Sequence, residues 1–257
     1  MRFLHLLLRR MQYAATNGPT FLHNPIIILY IHPKKPEIYL MEPTTQQVSF
    51  TIEAPYFTWG EKSEKTQNIW IVCHGFGQLA RHFMKRFDVL DPETNYVIAP
   101  QGLSRFYMDN YTKVAASWTT REFRDMHVDN QIAYLDQIYA REITPELLAQ
   151  AKFNLLGFSQ GVSVVTRWAA YRQIPIDRLI LWAGGFPPEL TPEKWTFLKS
   201  NMELWVVVGK DDEFLTDERK KKQEELITHS IKKPEVIIFD GKHEVKREAL
   251  KAFVDRL

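Results

Sequence analysis

A chain of 257 residues, 45% of them hydrophobic, is long enough to bury a substantial core in one large domain, and wholesale disorder is excluded. Its 33 basic and 31 acidic residues leave a net charge of +2, so nothing in the balance calls for a nucleic acid or an anionic membrane as partner. The single cysteine, Cys73, rules out an intrachain disulfide and fits a reducing compartment, so the expected location is the cytoplasm.

Residues 1–40 mix short apolar runs with His, Arg and Pro. Their longest apolar run, residues 26–31, is far shorter than the roughly 20 residues a membrane-spanning helix needs, so no integral membrane association is expected. As a secretory signal the start is poor. His5 interrupts its apolar stretch, Arg9 and Arg10 follow at once, and no small-residue cleavage site comes after them. The expectation is a loosely attached, poorly ordered extension of doubtful status over 1–40, with Met41 a natural beginning and one domain over 41–257.

From Val48 the pattern becomes regular. VSFTIEA (residues 48–54) alternates as a half-buried strand does, and YFTWG (56–60) would be its hairpin partner. Six short apolar runs read as fully buried strands: IWIVC (69–73), YVIAP (96–100), FNLLGF (153–158), LILWA (179–183), LWVVVG (204–209) and EVIIF (235–239). Continuous apolar strands indicate a parallel sheet covered on both faces. Helical patterns lie between most of them. Val128, Ile132, Leu135 and Tyr139 share one helix face, and residues 161–172, 217–230 and 245–257 read as further helices. Strands alternating with helices predict an α/β fold with a doubly wound, mostly parallel sheet and a small or absent cap. The chain has no Cys/His cluster with zinc-like spacing, no Walker loop and no G-x-G-x-x-G, so neither a metal nor an organic cofactor is expected.

The chemistry centres on GFSQG (157–161), a G-x-S-x-G between an apolar strand and a helix. In that context Ser159 would stand at the apex of a strained strand–turn–helix connection, flanked by small residues so that strand and helix can approach. A serine hydroxyl needs a base. Of the two histidines downstream, His229 falls inside a charged helix, whereas His243 follows the last strand at the same sheet edge as Ser159. The acid that orients this base would come from GKDDEF (209–214), where spacing alone does not choose between Asp211 and Asp212; Asp240 is a weaker rival. Two backbone N–H groups would receive an oxyanion: that of Gln160, at a helix start, and that of Phe76, in the Gly-rich CHGFGQ (73–78). His74 precedes Ser159 in the chain and reads as a packing or loop-orienting residue.

These motifs resemble the serine esterases of the α/β-hydrolase superfamily, and within it the carboxylesterase/phospholipase group that includes acyl-protein thioesterases. The resemblance rests on HGFG (74–77), APQG (99–102), SW (117–118), GFSQG, GKDDEF and GKHEV (241–245), and spans most of the chain after Met41. It implies the α/β-hydrolase fold and a G-x-x-D acid loop, which selects Asp212. It implies a histidine in G-x-H, met by His243, and Gln160 after the nucleophile. The sequence departs from the pattern at Glu213 and Phe214, where Pro and apolar residues are usual, and over 103–125 outside Ser117 and Trp118. That middle stretch is expected to lie over the active site, with Trp118 the candidate substrate contact ahead of Phe106, Tyr107 and Tyr111.

The expected activity is hydrolysis of a small-molecule carboxylic ester or thioester through an acyl-enzyme. A peptidase or acyltransferase with the same triad, or a non-catalytic binding protein on the same fold, are the alternatives. A homodimer through an exposed apolar face stays open.

Overall fold

The computed structural model describes residues 43–257 and, before them, a two-stranded antiparallel ladder of β1 (Ile27–Ile28) and β2 (Tyr39–Leu40). The extension expected over 1–40 otherwise lies outside the described residues. The chain divides into two compact units, Met1–Ile52 and Glu53–Leu257, and the second holds the large sheet and its helices.

That sheet has seven strands: β3 (Tyr56–Trp59), β4 (Asn68–Cys73), β5 (Asn95–Pro100), β8 (Lys152–Phe158), β9 (Arg178–Trp182), β10 (Glu203–Gly209) and β11 (Glu235–Phe239). Their spatial order is β11-β10-β9-β8-β4-β5-β3, and every pairing is parallel except that of β3 with β5. Each strand predicted from an apolar run is present, but β11, at the sheet edge, is not buried on both faces as expected: Val236 and Ile238 are exposed. Side chains alternate strictly between two cores. Ile69, Ile71, Phe153, Leu155, Leu179 and Leu181 face one, with α2 (Arg124–Glu142) and α4 (Gln160–Arg172) packed on it. Trp70, Val72, Leu156, Phe158, Ile180 and Trp182 face the other, against α1 (Ala80–Phe83) and α6 (Arg247–Val254). Covering both faces is why these strands read as unbroken apolar runs rather than as an alternation.

The expected strand over 48–54 is absent, and Val48, Phe50 and Ile52 are exposed. Alternation makes a strand only where a ladder partner is free. YFTW, its expected partner, instead pairs with β5 at the sheet edge. Residues 103–125, left unassigned by the sequence, form a separate hairpin of β6 (Ser104–Met108) and β7 (Lys113–Ser117), turned through Asp109, Asn110 and Tyr111, all with positive φ. Among the described residues, the other α-helices are the short α3 (Pro145–Gln150), capped by Thr144, and α5 (Asp217–Ser230), capped by Thr216.

From β4 the chain proceeds to β5 on one side, and from β8 to β9 on the other. The loops leaving these adjacent strands therefore part, opening a crevice at the strands' C-terminal edge, where doubly wound sheets bind ligands. α4 descends from that edge unusually close to the sheet. A Cβ on Gly161 would stand 2.1 Å from the Cys73 carbonyl oxygen, and one on Gly157 would stand 2.4 Å from the backbone nitrogen of Val162. Neither site has a flexible side chain that could yield. Gly161→Ala is therefore expected to cost about 1–3 kcal/mol through forced backbone displacement, read as a lower denaturant midpoint with an unchanged slope.

Candidate active site

Ser159 links β8 to α4 with φ 52° and ψ −116°, a conformation that L-residues avoid. Its own N–H donates to the Trp182 carbonyl at 2.9 Å, and its carbonyl accepts from Val162 N–H at 3.1 Å, so the turn is held from both sides. The turn aims Oγ out of the sheet edge. There Ser159 Oγ lies 2.9 Å from His243 Nε2, and His243 Nδ1 lies 2.8 Å from Asp212 Oδ2.

His243 and Asp212 are brought together because the loops after β10 and β11 are laced to each other. Lys210 N–H donates to Phe239 O, and Asp211 N–H donates to Gly241 O. A Cβ on Gly209 would stand 2.3 Å from Lys242 O, so the two loops touch at glycine. The Asp212 side chain is wholly buried, and its second oxygen accepts from Phe214 N–H at 2.9 Å. Asp211, by contrast, is exposed, as are His229 and Asp240. With the Nδ1 proton drawn to the buried carboxylate, Nε2 presents its lone pair to Ser159. Phe158 and Phe214 flank the imidazole at ring-centroid distances of 5.0 and 4.7 Å, which restricts its rotation.

The oxyanion candidates occupy the opposite wall. In the loop after β4, Gly75 N–H donates to Gln78 Oε1, Gly77 N–H to Ala116 O, and Gln78 N–H to Gly75 O. Among the described residues, Phe76 N–H is the member of this run that donates to no protein acceptor. Gln160 is the first residue of α4, so its N–H has no carbonyl one helical turn earlier to bond. Its side chain points elsewhere. Oε1 accepts from Trp118 N–H at 2.9 Å and Nε2 donates to Thr119 O at 2.8 Å, tying the end of the β6–β7 hairpin to the head of α4.

Trp118 is not placed as expected. It is 1% exposed, is absent from the cleft lining, and donates its indole N–H to the His74 carbonyl at 2.8 Å. Its role in the structure is to brace the loop that carries Phe76. Phe106, Tyr107 and Tyr111 are not in the lining either; Phe106 reaches it only indirectly, its ring tilted against that of Phe76. The large aromatic at 118 follows a hairpin strand whose inner face is core, so its bulk goes inward.

His74 is buried and does not contact Ser159. Its Nδ1–H donates to Gly75 O at 2.8 Å, and its Nε2 accepts from Gly102 N–H at 3.0 Å. It thus orients two loops as a neutral imidazole. Burial pushes its pKa down to about 4, opposed in part by the hydrogen bond to Gly75.

The cleft has a volume of about 880 Å³. Ser159, Gln160, His243, Phe76 and Phe214 line it together with residues that sequence reading did not select: Ser163, Gly184 and Gly185 beyond β9, and Arg219, Lys222 and Gln223 on α5. The signal for the last three was present as an i, i+3, i+4 spacing within DERKKKQEE, hidden in a helix that is charged almost all round. Among the described residues, no group of three or more His, Cys, Asp or Glu side chains could hold a metal ion, and no helix is long and apolar enough to cross a membrane.

A seven-stranded, mostly parallel sheet with a strained serine at a strand–helix elbow and a histidine after the last strand is the α/β-hydrolase architecture. The profile of the phospholipase/carboxylesterase family matches residues 56–257, and the chain belongs to that family. Similar solved structures include acyl-protein thioesterase 2 of Zea mays (TM-score 0.60, 14% identity, covering 79% of this chain and 99% of that one). Esterase PE8 aligns with TM-score 0.57 and 17% identity over 79% of this chain and 97% of its own. A phospholipase/carboxylesterase from Dyadobacter fermentans aligns with TM-score 0.54 and 16% identity over 81% and 98%. At these identities the likeness establishes the fold. No curated protein sequence matches the chain significantly.

The His74 position carries a pH consequence. An unfolded histidine titrates near 6.5, whereas the folded one holds out to about 4. The unfolded state therefore takes up a proton first. This site's contribution to stability is complete above pH 6.5 and is lost progressively down to pH 4, by about 3 kcal/mol in all. Denaturant unfolding from pH 7 to pH 4 is expected to show a steeper fall for wild type than for His74→Asn.

Proposed function

We propose that this protein is a serine hydrolase that cleaves carboxylic esters or thioesters through an acyl-enzyme. The observation that carries the reading is the line of contacts from Ser159 Oγ through His243 to a buried Asp212, opening on a cleft beside two unengaged backbone N–H groups. Membership of the phospholipase/carboxylesterase family supports it, as does the likeness to an acyl-protein thioesterase and to esterases.

In this mechanism Ser159 Oγ attacks the carbonyl carbon while its proton passes to His243 Nε2. Asp212 stabilises the imidazolium so formed and keeps the ring in register. The carbonyl oxygen, now negative, accepts from Phe76 and Gln160 N–H, aided by the positive end of the α4 dipole. Collapse of the tetrahedral intermediate breaks the bond to the alcohol or thiol, which leaves with the proton from His243. Water then attacks the acyl-enzyme, giving its proton to His243, and the carboxylic acid departs as Ser159 Oγ is reprotonated. No step draws on a metal or cofactor. A reducing compartment such as the cytoplasm suits the chain, whose one cysteine is buried and free.

Wild type is expected to react with a fluorophosphonate probe and to hydrolyse p-nitrophenyl esters, with long-chain acyl thioesters and peptides as comparison substrates. Ser159→Ala should abolish labelling, and Asp212→Asn should lower kcat by about 10³–10⁴-fold. A folded wild type that neither labels nor hydrolyses any of these substrates would instead indicate a binding protein.

A further inference from the structure

One wall of the cleft carries a charge that the hydrolytic chemistry does not use. Arg219, Lys222 and Gln223 share a face of α5, and all three line the same space as Ser159 and His243. No carboxylate is among the lining residues. Asp212, the acid nearest the site, is buried behind His243 with both oxygens engaged. Arg219 Nη1 donates to the Phe214 carbonyl at 3.0 Å, a contact that orients the guanidinium without neutralising it. Neither Arg219 nor Lys222 takes part in an ion pair among the described residues, although Lys220 on the same helix pairs with Asp217. Gln223 is fixed by accepting from Phe186 N–H through Oε1, which leaves its amide N–H groups as donors. The rest of the lining includes the apolar side chains of Phe76, Phe158, Phe214 and Leu215.

A cleft that presents two unneutralised cations in the same space as Ser159 and His243, with no carboxylate among its lining residues, is matched to a substrate that carries negative charge. We propose that the natural ester or thioester bears an anionic group, a carboxylate or a phosphate, that lies against Arg219 and Lys222 while its carbonyl is held at Ser159. Both side chains are exposed, so the anion meets them as charge-assisted hydrogen-bond donors within reach of solvent, where added salt weakens the attraction. Arg219 offers a planar fork suited to either oxyanion, and Lys222 a point charge. This inference rests on the hydrolase reading above and narrows its substrate class.

The test compares matched pairs of substrates. Mono-p-nitrophenyl adipate against p-nitrophenyl methyl adipate places a carboxylate or its neutral counterpart on the acyl side. A 1-acylglycerol 3-phosphate against the corresponding 1-acylglycerol does the same for phosphate on the alcohol side. The anionic member of at least one pair is expected to have kcat/KM about ten- to a hundredfold higher, and the pair that responds identifies the anion. In Arg219→Gln/Lys222→Gln that ratio should collapse toward one, and 0.5 M NaCl should compress it in wild type. Ratios near one in both pairs, with the neutral esters hydrolysed, overturn this inference and leave the hydrolase reading standing. A preference that persists undiminished in the double variant also overturns it. If no ester is turned over and Ser159 does not react with the fluorophosphonate, both readings fall together.

Discussion

The close approach of α4 to the sheet governs the rest of the site. Ser159 has positive φ because the chain must reverse from β8 into α4 within one residue, and such a conformation costs about 1–3 kcal/mol unless its surroundings enforce it. They do so here by backbone contact. Gly157, Gly161 and Gly184 each stand where a Cβ would collide with backbone or core atoms of the elbow and its neighbours. The same turn that exposes the Ser159 hydroxyl also leaves Gln160 N–H free at the head of the helix. Proposed nucleophile and proposed oxyanion donor are therefore set by one local conformation and would move together if it relaxed.

A second group of contacts fixes the opposite wall. The loop after β4 is held from beneath by His74 and Trp118 and from the side by the Gln160 amide through the β6–β7 hairpin. Gln131 on α2 donates in turn to the Trp118 carbonyl. Buried polar side chains here bond mainly to backbone, which is how short loops without secondary structure acquire a single conformation. Phe76 is 58% exposed yet has a fixed backbone, because every neighbour in its run is tied down. As the proposed oxyanion donor, an N–H held in this way needs no rearrangement as charge develops.

The third wall comes from the C-terminal half of the chain. The loops after β10 and β11 hold Asp212 beneath His243, and Phe214, one of the departures from the family's usual pattern, closes over the imidazole while its N–H caps the carboxylate. The chain then enters α5, whose first turns bring Arg219 and Lys222 to the cleft. The same loop thus orients the proposed base and leads into the helix that gives the cleft its two cations.

Local pattern in the sequence determined the buried strands, the elbow and the order of serine, acid and histidine along the chain. A parallel strand covered on both faces must be apolar throughout, and a one-residue reversal must be flanked by glycine, so both leave a mark within a few residues. The choice of Asp212 over Asp211 needed either the family resemblance or the fold, since adjacent residues differ only in which way the loop turns them. Tertiary structure alone decided that residues 48–54 find no ladder partner and that residues 104–117 form a hairpin. It alone decided that Trp118 is buried against a loop instead of lining the cleft, and that one face of a highly charged helix overlooks the cleft. Each of these depends on which distant segment occupies the adjoining space, and packing between segments far apart along a chain has no signature in the pattern of either one.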